Sequence, residues 1–280
     1  MYKRQGAGTA GQIQLAPSTP VPAVQADATS TSSTPGYVVQ AADVSGSSST
    51  SQNQLIVTSI TPGNTPSLST TVSKTVDPYY LPPSAPQYGT SKRLDTSDGR
   101  FEHAVEVGGV VYTAHAVAAT SGGMSVERWY AIDTGSSGTV TQGTLGDSSL
   151  YVFNGAISPD LSVSNQTIIN GGHLVLGVST SGANAYPAMQ AVKWAAGNST
   201  PPLVAATNTT SSPGSVIEQS QTYNYDFSCW SGSVCRWGDY SGASPDPLGG
   251  GVFLSNQYNV GGGSIFQAAW RTRNILITTP

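Results

Sequence analysis

The chain has 280 residues, of which 38% are apolar and 9% charged, with a formal net charge of −4. Its four scattered lysines exclude a nucleic-acid partner, which needs clustered Lys and Arg to release counterions. No stretch approaches the ~20 apolar residues of a membrane span, and solvation comes instead from Ser, Thr and turn-forming Gly and Pro, a texture common in secreted β-proteins.

Residues 1–54 are rich in Ser, Thr, Pro and Gly, as in "STPVPAVQADATSTSSTPG". They read either as a low-complexity segment or as a remnant blade, because "GYVVQAADVSG" followed by "NQLIVTSITPG" has hairpin spacing. The opening "MYKRQ" is basic but lacks the apolar region of a signal peptide. It resembles an artefact of sequence assembly, and the chain is expected to be a truncated piece of a longer protein.

Residues 55–280 carry a series of short strands. "GGVVYTAHAVA" (108–118) is a near-continuous apolar run, and "SVERWYAID" (125–133) alternates, placing Val126, Arg128, Tyr130 and Ile132 on one face. "SLYVFNGAISPD" (149–160), "GGHLVLGVSTSG" (171–182), "AYPAMQAVKW" (185–194), "GGVFLSNQYN" (250–259) and "WRTRNILIT" (270–278) continue the series. Nothing holds a helical period for ten residues, so the fold class is all-β. A weak repeat supports a β-propeller: Ser-Pro-Asp turns at Ser158 and Ser244 lie 86 residues apart, about two blades of ~40–45 residues. Cys229 and Cys235, in "CWSGSVC", can close a small loop as a disulfide, which implies an oxidising compartment. One cysteine pair without a nearby His is a poor zinc site.

Several blocks, "LPPSAPQYGTSKRLDTSDGRFEHAVEVGGVVYTAHAV", "VERWYAID", "YPAMQAVKW" and "RWGDYSGASPDP…VFLSNQYN…WRTRNILI", together resemble the C-terminal half of secreted, sialidase-like β-propeller proteins. The resemblance runs from about Thr58 to Thr278. It implies a partial propeller, of about six blades when complete, and an extracellular location. A retaining sialidase uses three arginines on the sugar carboxylate, a Tyr nucleophile activated by Glu, and an Asp acid. The matching candidates are Arg100, Arg128 and Arg236, with Tyr240 as nucleophile and Asp239 beside it. In an extended strand Arg236 and Tyr240 would share a face. Against catalysis, no Glu stands in that segment, and "SPDPLGGGVF" only approximates the family's Asp box. A structural role makes Trp237 and Tyr240 packing aromatics, with Arg236 paired to a carboxylate or stacked on an aromatic.

Two further expectations concern ligands. Asp95 and Asp98 in "LDTSDGR" flank a tight turn and either stabilise it or contribute to a calcium site, the one cofactor left open. His115 is expected to be buried and hydrogen-bonded to a neighbouring strand. The leading functional expectation is an extracellular binding or structural module in contact with carbohydrate or a cell surface. Trp230 and Tyr258, with Trp194, Tyr223 and Tyr225, are its candidate exposed aromatics. A sialidase-type hydrolase is the alternative, and a self-associating building block with open sheet edges is the third reading.

Overall fold

The structure is a computed structural model and describes residues 19–26, 34–44, 48–62, 66–135, 138–164, 167–203, 215–229, 232, 234–261 and 269–279. Most of the Ser/Thr-rich start, including "MYKRQ", and Trp230 lie outside them. Among the described residues the protein is all-β, and its one helical piece is a single 3-10 turn at Phe227–Cys229.

The chain opens with β1 (Val21–Pro22), β2 (Val24–Gln25), β3 (Gly36–Ala41), β4 (Gln52–Thr61) and β5 (Ser67–Tyr79). Strands β1-β3-β4-β5 form a first sheet, with β3 and β4 as the antiparallel pair that the hairpin spacing predicts. A short hairpin, β6 (Ala85–Gln87) and β7 (Thr90–Leu94), precedes β8 (His103–Val107), β9 (Val110–Ala118), β10 (Ser125–Asp133) and β11 (Val140–Leu145). The last four form an antiparallel second sheet, to which β2 adds a parallel edge. β12 (Tyr151–Ser164), β13 (Thr167–Gly182), β14 (Ala185–Ala195) and β15 (Val216–Gln219) make the third sheet. After β16 (Val234–Cys235) come β17 (Gly242–Pro245), β18 (Gly251–Asn259) and β19 (Trp270–Thr278), the fourth sheet. None of the sheets closes into a barrel.

Side-chain alternation explains how these sheets meet. Val111, Val117, Tyr130 and Ile132 of the second sheet pack on Val39, Leu55 and Tyr79 of the first. Tyr112, Ala114 and Trp129, on its opposite face, pack on Ile157, Leu174, Leu176 and Trp194 of the third. Odd-numbered Val175 and Met189 of the third sheet then meet Ala243, Val252 and Leu254 of the fourth. Four sheets are thus stacked face to face in chain order, and the inner two are buried on both sides.

Two expectations change here. Ser158–Asp160 is no turn: β12 continues through it, and a register shift between Pro159 and Leu161 accommodates the proline. Trp194 is no exposed sugar platform; it is 7% exposed and stacks obliquely on Trp129 at 5.4 Å. The second Ser-Pro-Asp behaves as read, because the Asp246 carboxylate accepts the Leu248 amide at 2.9 Å in an Asx turn.

Candidate functional site

Strand β16 pairs in parallel with β7, matching Val234 to Arg93 and Cys235 to Leu94. The Asp95 amide extends the pairing by donating to the Cys235 carbonyl at 2.8 Å. This places the segment after β7 beside the segment after β16, although they are far apart in sequence. Cys229 and Cys235 form the expected disulfide, both fully buried. Lys92 donates to the Cys229 carbonyl at 3.0 Å and the Arg236 amide donates to the Ser228 hydroxyl at 2.9 Å, so the loop is fixed at both ends.

Between these segments lies a cavity of about 200 Å³, lined by Asp98, Arg100, Glu102, Asn154, Trp237 and Tyr240, with Asp95, Arg236 and Asp239 at its wall. The described residues include three non-glycine residues in the left-handed region, Ser97 (φ 68°), Asn154 (φ 53°) and Asp239 (φ 59°). All three line this cavity. Strained backbone of this kind persists only where its surroundings over-determine it, and it clusters at functional sites.

Each strained residue has an identifiable hold. Ser97 follows the Asp95 carboxylate, which accepts the Ser97 amide at 3.1 Å. Asn154 sits at a bulge between Phe153 and Ala156 and exchanges bonds with Asn256: its Nδ2 donates to Asn256 Oδ1 at 3.2 Å, and Asn256 Nδ2 donates to the Asn154 carbonyl at 3.1 Å. Ser179 donates to the same Asn256 oxygen at 2.9 Å and receives the Trp237 indole N–H at 3.1 Å. Asp239 follows Gly238, which is itself left-handed (φ 71°) and donates its amide to Gln257 Oε1 at 3.0 Å. Trp237 is therefore buried as the packing reading expects.

The arginines divide. Arg100 and Arg236 reach the cavity, but Arg100 Nε donates to Asp98 at 2.6 Å and Arg236 pairs with Asp239. Arg128 is buried elsewhere and gives its guanidinium to the carbonyls of Asp77 and Pro78 at 2.9 and 2.8 Å. The three guanidinium groups do not converge on one site. Arg236 and Tyr240 also do not share the face of an extended strand, because the chain leaves β conformation after Cys235 and turns at Gly238 and Asp239. Tyr240 is no packing aromatic: it is 78% exposed.

Beyond the Arg236–Tyr240 ridge lies a shallower groove of about 450 Å³, bounded by Phe227, Tyr240, Asn256, Gln257 and Trp270. Phe227 is 69% and Trp270 44% exposed. Tyr223, Tyr225 and Tyr258 are half-buried and line neither hollow. A wider hollow of about 710 Å³ near Tyr88 and Tyr186 carries one carboxylate, Asp147, already bonded to the Ser149 and Leu150 amides.

Three groups missed in the sequence complete the site. Burial raises Glu102 to about 7, partly opposed by the Ser97 hydroxyl, with Asp239 and Asp98 adding repulsion. Burial also raises Glu127 well above the carboxylate range, with Glu102 next in effect. Asn154 is the third. A readable signal existed for Glu127: the face of "SVERWYAID" opposite Arg128 carries Trp129, so a carboxyl there enters a core. Asp95 and Asp98 spend oxygens on local turns, and among the described residues no three of His, Cys, Asp and Glu converge as metal ligands.

No protein-family model, curated protein or solved structure matches this chain. The functional reading therefore rests on geometry and chemistry.

Proposed function

We propose that the protein is a carbohydrate-binding module built as consecutive blades of a β-propeller, and that the cavity and its adjoining groove hold a neutral, hydroxyl-rich ligand. The carrying observation is the ridge at Tyr240, with an exposed aromatic groove on one side and a cavity of paired donors and acceptors on the other. Phe227, Tyr240 and Trp270 offer flat apolar faces for sugar rings, and the carboxylates and guanidiniums below offer acceptors and donors for hydroxyls. Each cavity arginine is already neutralised by an aspartate, so the site lacks the free cations that a sialic acid carboxylate needs. Face-to-face stacking of antiparallel sheets in chain order supports the propeller. The buried disulfide and the absence, among the described residues, of a helix long and apolar enough to cross a membrane fit an extracellular module.

A hydrolase acting on neutral glycosides is the second reading, favoured by one observation: Glu102 is a cavity carboxyl raised by burial to about 7, the range in which a general acid can give up its proton at neutral pH. Glycan-array screening followed by calorimetry tests both. Binding without turnover is expected, and Tyr240→Ala and Trp270→Ala each weaken it about tenfold. Binding unaffected by both substitutions, or no glycan bound at all, overturns the proposal. Hydrolysis abolished by Glu102→Gln establishes the second reading instead.

A further inference from the structure

Charge around the cavity does not balance. Asp95, Asp98, Glu102 and Asp239 line it, and Glu127 lies close enough to Glu102 to repel it. Against these carboxyls stand two guanidiniums, Arg100 and Arg236, each already paired with an aspartate. Asp95, Glu102 and Glu127 are left as the excess, and of these Asp95 is engaged by the Ser97 amide in its own turn.

Oxygens of Glu102 and Glu127 are also left over as acceptors. Glu127 is 0% exposed, and neither carboxyl oxygen has a hydrogen-bonding partner of normal geometry, although the Gly155 amide faces it. Glu102 Oε2 is buried without a partner. Asn154, an amide and thus independent of the acidic pair, is 4% exposed; its Nδ2 is spent on Asn256 and its Oδ1 bonds to nothing. Position links these groups: Asn154 and Glu102 line one cavity, and the Glu127 carboxyl lies against Gly155, the next residue after Asn154. A Cβ on Gly155 would stand 2.3 Å from Glu127 Cδ, so only glycine leaves room for the carboxyl here. Arg128 is committed to the Asp77 and Pro78 carbonyls and cannot compensate them.

Four buried oxygens, three of them on carboxyl groups and none with a hydrogen bond of normal geometry, form a hard ligand set without nitrogen or sulfur. Such a set suits a cation of the calcium class, which takes carboxylate and amide oxygens and fills remaining positions with water. We propose that Glu102, Glu127 and Asn154 are the protein ligands of a divalent calcium-class cation beneath the cavity. The site is distinct from the Asp95–Asp98 turn, and it stands or falls separately from glycan binding.

The experiment uses the full chain, without sugar, with calcium chloride and terbium chloride as probes. At about 5 mM calcium the melting temperature is expected to rise by about 3 °C, and terbium emission is expected on exciting tryptophan, since Trp237 lines the cavity. Glu102→Gln/Glu127→Gln removes both signals, whereas Asp95→Asn/Asp98→Asn keeps them. Should the double Gln variant not fold, Asn154→Ala is expected to weaken calcium binding about tenfold by calorimetry. No response in the parent chain overturns the proposal. So does a response lost in the Asp95/Asp98 variant but kept in the Glu or Asn154 variants.

Discussion

At the scale of single residues, buried titratable groups act on the fold in opposite pH ranges. Glu102 is raised from the ordinary carboxylate range to about 7, chiefly by burial. A raised carboxyl contributes stability that is complete below its unfolded value and is lost as pH climbs through the folded one. His103 is lowered to about 4 and His115 to about 3, both chiefly by burial. Their contribution is complete above about 6.5 and is lost as pH falls through these values. His115 shows the structural reason: Nδ1 bonds the Gly99 carbonyl at 2.7 Å and Nε2 meets the Tyr130 hydroxyl at 3.0 Å, which leaves a neutral ring fully satisfied. Urea unfolding with a chelator present checks the carboxyl. Glu102→Gln is expected to match the parent near pH 4 and to exceed it by about 1–2 kcal/mol at pH 8, allowing for partial solvent screening. Equal stability of the two chains at pH 8 contradicts the raised carboxyl.

At the scale of elements, the short β16 and its disulfide do more for the site than their length suggests. They set Arg236, Trp237 and Asp239 against the loop that follows β7. Replacing both Cys229 and Cys235 by Ala is expected to cost about 2 kcal/mol in urea unfolding, the chain-entropy value for so small a loop. Ligand affinity is expected to fall by a larger factor than in a surface control, because the cavity wall loses its anchor. A variant with unchanged stability and binding would show that the β7–β16 pairing suffices. This contrast also explains what could be read in advance. β9, β10 and β19 were legible because period-2 alternation fixes which side chains share a face. The cavity was not, because Ser97, Asn154, Gly238 and Asp239 leave the extended region, where counting odd and even positions carries no information. Arg128 was misleading for a related reason: it shares a face with Val126, Tyr130 and Ile132, and that face is an inter-sheet core.

At the scale of the whole molecule, stacking makes protection uneven. β9 and β10 are covered by sheets on both faces, whereas β19 is largely open to solvent and Phe253 and Leu276, paired across β18 and β19, are exposed. Hydrogen–deuterium exchange is expected to be slowest in β9 and β10 and fastest in β19; uniform protection would mean that the outer face of the fourth sheet is covered in solution. The parallel pairing of β7 with β16 has one more consequence, in the order of synthesis. Asp98 and Glu102 leave the ribosome well before Arg236 and Asp239, by roughly 7 to 27 s at ordinary elongation rates. The inner sheets can collapse during that interval, but the wall carrying Asp98, Arg100 and Glu102 must wait, open to water, until Trp237 and its neighbours arrive. The cavity is therefore among the last parts of the protein to come into being.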